Sequence, residues 1–216
     1  MSKLLYVVSS PRGEQSESTR IAGEFLAAYL RARPDVEMER LNLWEDQLPV
    51  YGGKGAAAKM TVFSGQTPEG DQARAWADVE RVFAPFKEAD EYLFTVPMWN
   101  AGVPWVLKHL IDTITQPGLV FGFDPAKGYT PLLQGKRAVV VYTSGVYSPG
   151  APIQFGTDFH AKFFNDWLRF IGVDDVAEIR FQPTVLTTDP GAARDAALAR
   201  ARDLAAELAV PVGKAA

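Results

Sequence analysis

Apolar residues along this chain fall into two alternating patterns. Short runs such as Leu4-Leu5-Tyr6-Val7-Val8 and Ala138-Val139-Val140-Val141-Tyr142 are apolar at every position. A strand written this way is covered on both faces, which implies a parallel sheet between helical layers. The same reading predicts strands at residues 3–8, 36–41, 91–96, 137–143 and 176–181. Between them apolar positions recur every three or four residues, predicting helices over 19–33, 72–88, 103–115, about 158–171 and 192–209. A strand followed by a helix, repeated five times, predicts an α/β fold: a doubly wound five-stranded parallel sheet with helices on both faces and right-handed crossovers. In such a fold ligands bind beyond the carboxyl ends of the strands, at the switch point. The last helix, written in Ala, Arg, Asp, Glu and Leu, has the composition of a solvated outer helix. Residues 42–71 and 116–134 exceed the ~2–6 residues usual for connections in such folds. Both read as long loops, the places where function sits on a rigid sheet. Within the first, the stretch from Gly52 to Ala58 reads as mobile.

Composition narrows the chemistry. With 216 residues, 47% of them hydrophobic, the chain has material for one sizeable core, and a single domain over residues 1–216 is expected. Its net charge of -4 argues against nucleic acid or a membrane surface as partner. The apolar run near the N-terminus follows one basic residue, has no small-residue cleavage site behind it and is far too short to span a bilayer, so a cytoplasmic protein is expected. There is no cysteine, and His109 and His160 are the only histidines. That excludes thiolate catalysis, disulfides, iron–sulfur clusters and multi-histidine metal sites. Redox chemistry would require an organic cofactor.

Three loops carry the candidate site. The first, Ser9 to Thr19, holds five hydroxyl side chains and one glycine and runs from the first strand into the first helix. Hydroxyls beside a helix N-terminus suit a phosphate monoester, since unsatisfied amides and the dipole both favour an anion. Neither dinucleotide nor triphosphate glycine fingerprint occurs in it, and a serine-rich helix cap reads equally well. The second loop, Pro97-Met98-Trp99-Asn100-Ala101-Gly102-Val103-Pro104, offers a polarisable edge, a flat apolar plate and an amide, the set a planar heterocycle needs. Core packing is the plainer alternative. The third, Ser144-Gly145-Val146-Tyr147-Ser148-Pro149-Gly150, lets backbone amides approach a ligand closely, or is an ordinary turn. In a sheet of order 2-1-3-4-5 the three loops converge on one pocket.

These residues resemble a known family. Ser9-Ser10-Pro11-Arg12-Gly13 with Ser16-Glu17-Ser18, Pro97-Met98-Trp99-Asn100 with Val103-Pro104 and Leu107-Lys108, Gly135-Lys136-Arg137 leading to Thr143-Ser144, and Phe170-Ile171-Gly172-Val173 are similar to the FMN-dependent NADH:quinone oxidoreductases and azoreductases of flavodoxin-like fold. The resemblance covers nearly the whole chain in order. It implies a homodimer with one non-covalent FMN per subunit, NADH or NADPH as co-substrate, and a quinone, azo or nitroaromatic acceptor. By position, Ser10, Ser16, Glu17 and Ser18 would hold the phosphate, Pro97, Met98, Trp99, Asn100 and Ala101 the isoalloxazine, and Ser144, Gly145, Val146 and Tyr147 its pyrimidine side. The chemistry would lie on the flavin, with no catalytic side chain. Two departures stand out. Glu17 replaces a glutamine common in relatives, so its amide rather than its carboxylate would face the phosphate. Ser144-Gly145-Val146-Tyr147 replaces Ser-Arg-Gly-Gly, removing an arginine near the pyrimidine.

Phe121 and Phe123 alternate along the second long segment, so one face of it would present both rings to a flat substrate; a hairpin packed on its own core is the alternative. His109, at helical spacing from Trp105 and Asp112, reads as a packed or surface residue, and His160 as a helix residue near the third loop. Two other functions fit the same fold. A flavodoxin-type electron carrier would need only FMN and a docking surface, though it has little use for such long loops. A cofactor-free scaffold would bind no flavin at all.

Overall fold

The computed structural model describes residues 2–209. Five parallel strands, β1 (Ser2–Val8), β2 (Val36–Asn42), β3 (Glu91–Pro97), β6 (Arg137–Thr143) and β7 (Asp175–Phe181), form one sheet in the order β2-β1-β3-β6-β7. Alternate residues of each strand enter opposite layers. Leu5, Val7, Phe94, Val140 and Tyr142 face one core, and Leu4, Tyr6, Val8, Val139 and Val141 the other. Both cores are apolar because both faces are covered, as the continuous runs predict.

Helices α1 (Glu17–Ala32) and α6 (Pro190–Ala209) cover the second face, while α3 (Gly70–Glu88), α4 (Trp105–Ile114) and α5 (Ala161–Ile171) cover the first. The fold is therefore the doubly wound α/β arrangement expected from the strand–helix alternation, in the flavodoxin-like form that the family resemblance implies. Gly172 ends α5 at φ +104°, and a Cβ there would lie 3.1 Å from Pro131 and 3.2 Å from the Leu133 backbone. Only glycine fits both the left-handed cap and the close approach.

Several boundaries differ from expectation. The stretch read as mobile forms the first half of helix α2 (Gly53–Phe63). It lacks a strong apolar stripe, and it docks through small residues: Gly55 and Ala58 are buried, and a Cβ on Gly55 would stand 2.9 Å from the Tyr51 ring. The segment 116–134 holds an antiparallel hairpin of β4 (Phe121–Asp124) and β5 (Gly128–Pro131). Helix α4 starts after Pro104 and α5 only at Ala161, behind a short 3₁₀ turn at Ile153–Phe155.

At the amino edge of the sheet a polar knot is built from Tyr29, Glu91 and Arg137. The Tyr29 hydroxyl donates to Glu91 at 2.7 Å, and the Arg137 guanidinium donates to Glu91 at 3.0 Å and to the Leu208 carbonyl of α6 at 3.0 Å. Burial and then the adjacent Glu91 carboxylate push the Tyr29 hydroxyl up to about 12. No helix among the described residues is long and apolar enough to cross a membrane.

Candidate functional site at the carboxyl edge

The first loop is pinned to β3. The Ser9 amide donates to Thr95 Oγ1 at 3.0 Å and the Ser9 hydroxyl to the Thr95 carbonyl. After a 3₁₀ turn at Gly13–Gln15, Ser16 caps α1, accepting weakly from the Thr19 amide at 3.4 Å. Ser10, Ser16 and Ser18 are buried, and the Ser16 and Ser18 hydroxyls lie 3.0 Å apart. Among the described residues nothing accepts from the Ser10 hydroxyl, nothing bonds the Glu17 and Ser18 amides, and the buried Thr19 hydroxyl has no partner. The Glu17 carboxylate turns away, held by Arg194 of α6 at 2.6 and 3.0 Å. The loop therefore offers a set of donors at a helix N-terminus, with the Glu17 charge paired off. That set suits a phosphate monoester.

The second loop is a tight turn. Trp99 and Gly102 exchange backbone hydrogen bonds of 2.9 Å, and the two residues between, Asn100 and Ala101, lie at φ +49° and +66°. Both central residues are left-handed, the signature of a type I′ turn. For alanine this conformation is strained, and such strain clusters at ligand sites. The Met98 amide donates to the Thr143 carbonyl at 2.8 Å, which extends the β3–β6 pairing into the loop. The Trp99 ring packs on Trp44, 5.7 Å away, and Trp44 meets Trp105 edge-on at the same spacing. Trp44 also donates its indole N–H to the Ser9 carbonyl at 2.9 Å, so it ties the first loop to the second. Sequence reasoning missed Trp44; the signal was Asn42, whose side chain accepts from the Trp44 amide at 3.2 Å just past β2.

The third loop is clamped from beyond β7. Ser144 and Gly145 carbonyls accept from the amides of Thr184 at 2.7 Å and Val185 at 2.9 Å, and the Ser144 hydroxyl donates to the Tyr147 carbonyl. The Phe159 amide donates to the Ala101 carbonyl at 3.1 Å, joining the approach to α5 to the second loop. His160 is fully buried with its ring edge-on to Tyr142 at 4.9 Å. Burial pushes it down to about 4, against the opposing pull of the Val96 carbonyl and Asp158. Burial thus favours the neutral imidazole at neutral pH.

Beside these loops lies a cleft of about 810 Å³, lined by Trp99, Asn100 and Val103 of the second loop, by α4, and by Phe163, Trp167, Tyr51 and Lys59. Of the predicted site residues, Trp99 and Asn100 line it; the serine loop and the third loop flank the second loop along the sheet edge. Phe121 and Phe123 both touch Tyr129, but Phe121 is only 5% exposed and packs on Phe170, whereas Phe123 is 46% exposed beside Phe63. Neither borders the cleft. Its α4 and α5 side chains were missed because at helical spacing they are indistinguishable from core positions.

Sheet order, donor-rich loop and aromatic cleft define a flavodoxin-like α/β protein with its binding edge at the strand carboxyl ends. Residues 2–205 match the family described as having the flavodoxin-like fold. A Ruegeria pomeroyi FMN-dependent NADH:quinone oxidoreductase is 46% identical over 199 residues, covering 92% of this chain and 98% of the relative. A Desulfotalea psychrophila protein of the same name is 42% identical over 209 residues, covering 97% of each. Among solved structures, an azoreductase from Bacillus anthracis strain Sterne superposes with a TM-score of 0.87 at 25% identity, over 96% of this chain and 100% of that one. The chain belongs to the FMN-dependent NADH:quinone oxidoreductase and azoreductase family.

Proposed function

We propose that this protein is an FMN-dependent NADH:quinone oxidoreductase that also reduces azo compounds. The observation that carries the reading is the first loop, where buried serine hydroxyls stand beside unbonded helix-start amides while Arg194 holds the Glu17 carboxylate aside. A loop of this kind fits the phosphate of FMN without a lysine. The relatives' names supply FMN as cofactor and NADH as donor. Ser10, Ser16 and Ser18 hold the phosphate by their hydroxyls and Glu17 by its amide. Pro97 to Ala101 would hold the isoalloxazine, and Ser144 to Tyr147 its pyrimidine side. Bound FMN supplies reversible two-electron chemistry at a single ring system. The net reaction consumes NADH, a proton and a quinone, and yields NAD⁺ and the hydroquinone.

The chain's own residues position and exclude. The Trp99, Trp105 and Trp167 rings give planar substrates an apolar wall, and the buried edge beneath the loops keeps water from the reacting faces. Donor and acceptor would take turns at the one cleft. A second copy of the chain completes the outer wall, a homodimer supported by the exposed rings of Trp105 (60%), Phe123 and Phe159 around the site. The protein works in the cytoplasm, where reduced nicotinamide is available. Initial-rate kinetics on FMN-loaded protein test this reading. Parallel double-reciprocal lines with NADH and a quinone are expected. Failure of NADH to reduce the bound flavin within seconds would instead mark an electron carrier, and a fully active monomer would remove the shared wall.

A further inference from the structure

Among the described residues two ion pairs cross from α6 to α1. The interface between these helices is otherwise apolar, with Ala197, Ala201, Leu204 and Ala205 buried in the same core as Ile21 and Phe25. Arg202 donates to Glu24 at 2.8 Å, an exposed pair midway along α1. The second pair lies at the start of α1, in the phosphate loop. Arg194 presents a fork to Glu17: its Nε lies 3.0 Å from both carboxylate oxygens and its Nη2 2.6 Å from one of them. The two side chains are 33% and 24% exposed. Glu17 is the first residue of α1 and the acidic residue of its first turn, whereas Glu14, the loop's other carboxylate, is open to solvent.

A carboxylate at this position works against a phosphate site. The dipole and the unsatisfied amides that attract a phosphate attract a side-chain anion on the same turn equally well. Left free, the Glu17 carboxylate would compete for those donors and would repel an arriving anion. The planar guanidinium, engaging both oxygens, fixes it in one geometry, which a single flexible ammonium does not. We propose that Arg194 is a positioning residue of the phosphate site: by holding the Glu17 carboxylate against α6, it keeps an internal anion off the α1 amides and so admits a phosphate monoester. Its role is exerted through Glu17 and needs no contact with the ligand. The inference rests on the FMN reading above, and it adds that a helix from the far end of the chain governs loading of the cofactor.

The test measures binding of FMN and of riboflavin, which has the same ring system and no phosphate, by equilibrium dialysis of the full chain freed of flavin. Arg194→Ala is expected to bind FMN about tenfold more weakly than wild type, the scale of one uncompensated like charge near the phosphate, with riboflavin affinity changed less than about twofold. Made in a Glu17→Gln background, the same Arg194→Ala change is expected to alter FMN affinity less than about twofold, because the competitor has lost its charge. Arg202→Ala removes the other α1–α6 pair and is expected to leave both affinities as in wild type. An FMN affinity for Arg194→Ala within about twofold of wild type overturns the proposal. So does an equal loss in the Glu17→Gln background, for riboflavin, or in Arg202→Ala, since each would mark helix docking rather than control of the carboxylate. If wild type binds neither flavin, the reductase reading fails, and inorganic phosphate decides the inference by itself. A rise in Tm in phosphate over chloride at equal ionic strength, present in wild type, lost in Arg194→Ala and regained when Glu17→Gln is added, supports it. The same response, or none, in wild type and Arg194→Ala alike overturns it.

Discussion

Ser16 and Ser18 show how little side-chain chemistry the first loop needs. The two hydroxyls hydrogen-bond to each other at 3.0 Å, which occupies one proton and leaves the other free to meet an incoming anion. Removing both, as Ser16→Ala with Ser18→Ala, is expected to weaken FMN binding by roughly 1.5–3 kcal/mol for each hydrogen bond to the charged phosphate. Equilibrium dialysis measures this, and an unchanged dissociation constant would end the phosphate assignment. His160 makes a prediction of a different kind. Its value falls from 6.5 to about 4 in the fold, chiefly by burial. The unfolded chain therefore takes up more protons than the folded one between those values. Stability is complete above pH 6.5, declines as pH falls through the window, and is down by on the order of 3 kcal/mol below pH 4. Urea titrations at neutral and acid pH should show a smaller acid loss in His160→Gln than in wild type. Equal losses would mean that His160 titrates freely in the fold.

The turn at Asn100 and Ala101 is the element with the clearest stored strain. Ala101→Gly at φ +66° is expected to stabilise the protein by about 1 kcal/mol, since glycine meets no steric penalty there. Thermal unfolding reads this as a raised Tm; a lowered one would show that the alanine methyl is held by packing. This turn also marks what a sequence discloses. Five strands, five helices and the convergence of three loops were legible, because burial on both faces writes runs and burial on one face writes a period. That the Glu17 carboxylate would turn away from the loop was legible from charge alone. Helix α2 was not, because its docking relies on the absence of side chains at Gly55 and on the small Ala58. Nor was the role of Trp44, which depends on a loop folding back 35 residues to reach Ser9. Phe121 and Phe123 alternate as read, yet strand alternation says nothing of which ring the hairpin turns inward. The structure gives that place to Phe121.

Across the whole molecule, stability and binding occupy opposite ends of one sheet. The Tyr29–Glu91–Arg137 knot at the amino edge fastens β3, β6 and α6 together, with the Glu91 and Arg137 side chains only 11% and 13% exposed. Glu91→Gln would leave the guanidinium without its counter-charge, at a cost of about 3 kcal/mol. Denaturant unfolding should show that loss, while FMN affinity stays as in wild type; a parallel fall in affinity would mean that the two edges are coupled. At the other edge, four of the chain's five tryptophans, Trp44, Trp99, Trp105 and Trp167, stand at or beside the cleft. Trp44 lies 5.7 Å from both Trp99 and Trp105. Indoles this close exchange excitation before they emit, so an absorbing ring placed against Trp99 darkens its neighbours as well. An occupied cleft is therefore expected to dim the tryptophan emission and an emptied one to restore it, which a fluorescence titration with FMN reads directly.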